Sequence, residues 1–373
     1  MPSLAFNPHS EQIRTASRRL LQAYSRTPGH QIPIVAPSVP HVEYSEAEKI
    51  DDLDKMLEAS VSWANALAVI DNDWPPMINT YCGVVHVAEA FGCKIIRGDS
   101  LWTEPAVGDI SEVWSLKPLP VEESPLIRRL FEWVDYAQRK AGTDVPIWTM
   151  DVQSPFSVAG QVVGGTELFT ACITHPKEVH HLCRMITDFS IEMMRKHTER
   201  MENPGFPGRN FPSIPEDIGI CLADDTPLVM LGPDMYGEFA LPYNAEIAKA
   251  FGRVHIHSCG NYAHNLDNLL RIPGIRSIQA HAGPGEFPLP ASAKEDHPFN
   301  RARKRVAYFI DANDVTLGDE YRNRPKDHYE EYVLPRLKAG GELKGLILQS
   351  CGVGQDLSTP SDAVRWTRHC VRV

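Results

Sequence analysis

The sequence predicts a (β/α)8 TIM barrel of the α/β class with an N-terminal helical extension. Three observations carry this. From about residue 93 onward, short β-type runs alternate with loops and helical stretches, the pattern of parallel α/β units. Seven or eight such units in a chain of 373 residues suit a closed barrel better than an open sheet. No G-x-G-x-x-G follows the first strand and no P-loop occurs, so a nucleotide-binding sheet has little support.

Residues 1–60 read as a helical extension and loop, and 61–373 as the barrel. Gln12 to Tyr24 has the character of a short helix. Pro28, Pro33, Pro37 and Pro40 make the next segment a loop. Ser45 to Asn65 is periodic, a helix or a helix pair, and a further helical run is expected from near Tyr81. The β-type runs are 93–98, 145–152, 217–223, 253–259, 275–282, 305–312 and 343–350, with ALAVID at 66–71 as a candidate eighth. Helix candidates fall at 125–140, 176–202, 239–251, 261–271, 293–304 and 326–338.

A hydrophobic fraction of 43% is ample for a large core, and a net charge of -11 argues against bulk nucleic acid or anionic lipid as partners. No N-terminal segment resembles a signal peptide, and no uncharged apolar stretch nears the ~18 residues of a membrane span. The expectation is a cytoplasmic protein. Eight cysteines are too sparse for a disulfide scaffold.

In a barrel of this kind the chemistry sits at the C-terminal ends of the strands. His257 and Cys259 close one run and Cys351 closes the last. Asp224 and Asp225 follow another, Asp311, Asn313 and Asp314 a fourth, and His281 a fifth. His257 and Cys259 are two positions apart in an extended segment, so they share a face, and Gly260 then lets the chain turn. Imidazole and thiolate are zinc ligands, and three of them leave one tetrahedral position open, the pattern of a catalytic site. The plain alternative is a hydrogen-bonded core histidine with inert cysteines. His255, on the same face as His257, is the ligand instead if the register slips.

Taken together, PIWTMDVQSPFSVAG, ADDTPLVMLGPDMYGEFALPY, VHIHSCGN, RVAYFIDAND and LQSCGVG resemble the uroporphyrinogen decarboxylase superfamily over roughly residues 60–373. The H-x-C…C pattern resembles its branch of corrinoid-dependent methyltransferases, in which a histidine and two cysteines bind zinc. Carried over, these fall on His257, Cys259 and Cys351. True decarboxylases carry an arginine-rich R-Q-A-G-R-type segment, absent here, and a glycine-histidine-glycine arrangement where this chain has Ser350-Cys351-Gly352.

The resemblance implies transfer of a methyl group between a corrinoid (cobalamin) and a small substrate such as a methoxy compound or a thiol. No D-x-H-x-x-G segment is present, so the corrinoid is expected on a separate carrier protein. Asp224, Asp225 and Glu238 are the candidate catalytic acids, to orient His257 or to protonate a leaving group. Helix capping explains Asp224 and Asp225 equally well, and a place at the start of the next helix explains Glu238 better. Trp74, Asp151, Tyr236, His281 and Asp311 are candidate substrate contacts, with Asp71, Asp73 and Gln153 near them. Tight turns capped by aspartate account for several of these too. Barrel enzymes often pair, so a homodimer is among the expectations. The rival readings are a decarboxylase of the same family, alkyl transfer to a thiol without a corrinoid, and a non-enzymatic scaffold.

Overall fold

The structure, a computed structural model, describes residues 6, 10–80, 83–150, 152–215, 217–283, 286–311, 321, 324–341, 343–353 and 357–371. Its barrel strands are β1 (Ile34–Val35), β2 (Ile147–Trp148), β3 (Val152–Gln153), β4 (Ile220–Ala223), β5 (Val254–His257), β6 (Ile275–His281), β7 (Ala307–Asp311) and β8 (Leu346–Gln349). Seven form one sheet in the order β1-β8-β7-β6-β5-β4-β3, and every pairing in it is parallel. The ring closes through segment 73–78. Asp73 N donates to Ile34 O at 2.8 Å, and Trp148 N donates to Ile78 O at 2.9 Å. β2 also pairs with Pro204–Gly205.

β4, β7 and β8 are mostly apolar runs because both faces are covered. Every residue of β4, β5, β7 and β8 is buried, the polar ones included. Helices Pro125–Ala141, Pro176–Glu199 and Leu241–Phe251 lie close to the expected ranges. The 45–65 region is a helix pair, Glu46–Asp51 and Leu53–Ala68. Ser45 and Glu48 begin it with a capping box. The 326–338 helix is interrupted by a π-helical stretch, Tyr329–Val333. Pro335 lacks the N–H that would bond four residues back, which gives the local register a reason to slip.

Several expectations are corrected. ALAVID is not a strand: its first half ends helix Leu53–Ala68, continuing the buried series Met56, Leu57, Val61, Ala64 and Leu67 at helical spacing. The first barrel strand is Ile34–Val35, within the segment read as extension and loop. It is only two residues long and flanked by Pro33 and Pro37, so its sequence carries no strand signal. Residues 94–96 form an antiparallel pair with 102–104 outside the barrel. The helix expected near Tyr81 begins at His86. Among the described residues no single helix is long and apolar enough to cross a membrane.

Candidate metal centre

β5 ends at His257, and the chain turns at Gly260, whose φ of 77° favours glycine. Asp224 N donates to His257 O at 2.9 Å, and Cys259 N donates to Asp225 Oδ1 at 2.6 Å. These bonds fix the loop so that Cys259 Sγ lies 3.7 Å from His257 Nε2 and 3.9 Å from His281 Nε2. His281 ends β6, the neighbouring strand. The three ligand atoms all lie within 4.8 Å of one another.

The surroundings suit a cation. His257 Nδ1 donates to Gln279 Oε1 at 2.6 Å, and Gln279 Nε2 donates to Asp311 Oδ2 at 2.8 Å. With its proton on Nδ1, the imidazole presents a lone pair at Nε2. Asp225 Oδ1 lies 3.6 Å from His257 Nε2, and Asp311 Oδ2 lies 3.7 Å from His281 Nε2. Burial, then the acids Asp225, Asp311 and Glu286, push the Cys259 thiol up to about 12. A thiol in the field of three carboxylates ionises readily only beside a positive charge. The donor set of two imidazoles and a thiol therefore fits zinc.

A cavity of about 460 Å³ adjoins this group through Gln279 and Asp311. Trp63, Trp74, Trp148 and Phe309 form one side of it. Their rings pack at centroid distances from 5.0 Å, for Trp63–Trp148, to 6.5 Å, for Trp74–Phe309. Glu46, Lys49, Asp99 and Arg209 contribute charge to the lining.

The expected site residues divide. His257, Cys259, His281, Asp225 and Asp311 converge, and Trp74 faces the same cavity. Cys351 stands outside the metal group. Its amide N donates to Thr367 Oγ1 at 3.0 Å and its thiol to Gly352 O at 3.4 Å. Two strands, β6 and β7, separate β8 from β5, and the bond to Thr367 holds Cys351 toward the last helix, Pro360–Cys370.

Asp224 faces inward, away from the group. Its Oδ2 accepts from Tyr236 Oη at 2.6 Å and from Asn244 Nδ2 at 2.8 Å. Complete burial raises its carboxyl to about 7. Tyr236 is thereby a core residue, not a cavity wall. Glu238 points outward from helix Pro233–Phe239, 3.8 Å from His180 Nε2, because Tyr236 and Phe239 take the buried face. Asp73 is a structural anchor, bonded to Arg19, Arg368 and the amide of Ile34. Asp71 is exposed. Gln153 is half-buried on β3. Asp151, Asn313 and Asp314 lie outside the described residues. His255 sits one layer below His257, at 2.7 Å from Ser277 Oγ and between the rings of Tyr24 and Phe211.

Sequence reasoning missed Gln279. Its signal was present: Ser277, Gln279 and His281 alternate with Ile278 and Ala280 along the strand, which places three polar side chains on one face. Trp63 and Trp148 were missed as cavity residues because they lie in segments that read as ordinary helix and strand.

Comparisons with known proteins agree with this architecture. A methyltransferase from Methanosarcina mazei has a solved structure with a TM-score of 0.63 to this chain, at 17% identity, covering 96% of this chain and 99% of its own. At that identity the likeness is one of fold. No curated protein matches the sequence. The family model for uroporphyrinogen decarboxylase (URO-D) matches residues 12–200, half of the chain, and on that match the protein belongs to the uroporphyrinogen decarboxylase family.

Proposed function

We propose that this protein is a zinc-dependent methyltransferase. It moves a methyl group between a corrinoid, held by a separate carrier protein, and a small substrate such as a methoxy compound or a thiol. The observation that carries the reading is the approach of Cys259 Sγ to His257 Nε2 at 3.7 Å, at strand ends beside a cavity of about 460 Å³. That volume lies in the usual range for small-molecule sites. Arg209 is the one arginine among the described lining residues, a poor match to a substrate with many carboxylates.

Zinc bound by this group would supply Lewis acidity, lowering the pKa of a thiol or polarising an ether oxygen. The chain supplies the rest. The tryptophan wall holds the substrate body and keeps water from it. Gln279 orients His257. Asp311 Oδ1 has no hydrogen-bond partner among the described residues, so it is the atom left to take a substrate proton or return one to a leaving group.

The test is direct. Purified protein is analysed for metal, then given methylcobalamin and a thiol, with the cobalamin spectrum followed in time. About one zinc per chain and zinc-dependent loss of the methyl–cobalt bond are expected. A metal-free protein, or a methyl–cobalt bond that persists in the presence of zinc-loaded protein and thiol, would refute the reading.

A further inference from the structure

We propose that His281 is a protein ligand of the metal centre, in the place that the family resemblance assigns to Cys351. This rests on the reading of the centre as a zinc site.

The geometry supports His281. Zinc takes sulfur at about 2.3 Å and imidazole nitrogen at about 2.0–2.1 Å, so the sulfur–nitrogen edge of a tetrahedron is about 3.6 Å. The two edges here are 3.7 and 3.9 Å. His257 and His281 come from adjacent paired strands, and their ring nitrogens and the intervening loop thiol all lie within 4.8 Å of one another. Asp311 lies beside His281 in the β6–β7 register and approaches its Nε2 at 3.7 Å. Cys351 is engaged elsewhere. Its amide is bonded to the last helix, its thiol is bonded to Gly352 O, and it lines a small cavity of about 80 Å³ that shares Pro37, Ser38 and Gln349 with the larger one.

The substitution changes the charge of the centre. One thiolate and two neutral imidazoles leave a zinc ion singly positive, whereas two thiolates and one imidazole leave it neutral. Asp225 and Asp311, 3.6 and 3.7 Å from the two imidazoles, supply negative charge beside the ligands that a second thiolate would otherwise bring.

The experiment uses zinc content and cobalt(II) replacement in the full chain, comparing wild type with His281→Asn, His281→Ala and Cys351→Ser, each checked for folding by circular dichroism. Wild type is expected to show a sulfur-to-cobalt charge-transfer band with the intensity of one thiolate, and Cys351→Ser to keep both that band and its zinc. The His281 variants should bind zinc more weakly by over the 10–100-fold that loss of an outer partner typically costs, about two orders of magnitude or more. The wild-type spectrum stands even if a variant does not fold. A two-thiolate band, or loss of zinc in Cys351→Ser with retention in His281→Asn, overturns this ligand assignment and leaves the zinc reading intact. Failure of the wild type to bind either metal overturns both.

Discussion

Gln279 accepts the Nδ1 proton of His257 at 2.6 Å while its own amide donates to Asp311 at 2.8 Å. One side chain thus sets the tautomer of an imidazole on β5 and ties it to a carboxylate on β7. The chain of contacts crosses three adjacent strands and joins the metal group to the cavity.

Gln279→Leu removes the acceptor at Nδ1 and leaves Asp311 without its amide donor. Zinc affinity is expected to fall roughly 10–100-fold, as for other outer partners of metal-bound histidine. Competition with a chromophoric chelator measures this. An unchanged affinity would show that the tautomer needs no such support.

Chelation tests the energetic link between metal and fold. A bound ion stabilises the native state by mass action, about 2.7 kcal/mol at 100 times Kd. Removal of zinc is expected to lower the melting temperature and abolish transfer, and zinc returned in stoichiometric amount should restore both. Equal melting curves before and after removal would place no metal in the folded protein.

Asp73→Ala should destabilise the whole barrel. The carboxylate is buried and receives Arg19 at 2.6 Å, Arg368 at 3.2 Å and the amide of Ile34 at 2.8 Å. It joins the first helix, the first strand and the last helix. Breaking a buried pair from one side costs about 3–5 kcal/mol. Denaturant unfolding reads the loss, and a change below about 1 kcal/mol, the scale of an exposed pair, would contradict it.

Acid stability should depend on His86 and His197, away from the metal group. Both are buried, and neither ring has a hydrogen-bond partner among the described residues. Burial lowers His86 to about 4 and His197 to about 3. Between the unfolded value near 6.5 and these folded values, only the unfolded chain is protonated. Their contribution is therefore complete above about pH 6.5 and is lost as pH falls toward 4 and then 3. Replacing both with leucine should flatten the decline of stability between pH 6.5 and 4 in a series of urea titrations. A decline of the same slope in the double variant would assign it to other groups.

Much of the architecture was legible before folding. Buried parallel strands favour continuous apolar runs, and those at β4, β7 and β8 stand out for that reason. The failures have one cause. β1 is two residues between prolines, and β2 and β3 divide a single run, so what makes them strands is hydrogen bonding to partners far along the chain. The ALAVID run failed in the opposite sense, since a short apolar segment at a helix end has the composition of a strand.

For the site, the sequence by itself determined the rim: strand ends rich in histidine, cysteine and aspartate, with His257 and Cys259 on one face because side chains alternate. It also determined the two acids that follow β4. Which of these groups meet was decided only by tertiary structure. The pairing of β5 with β6 brings His281 to Cys259, the last helix engages Cys351, and the packing of two short helices turns Asp224 inward and Glu238 outward. Such choices depend on strand order and on competing hydrogen bonds between distant segments, and neither leaves a mark on local spacing.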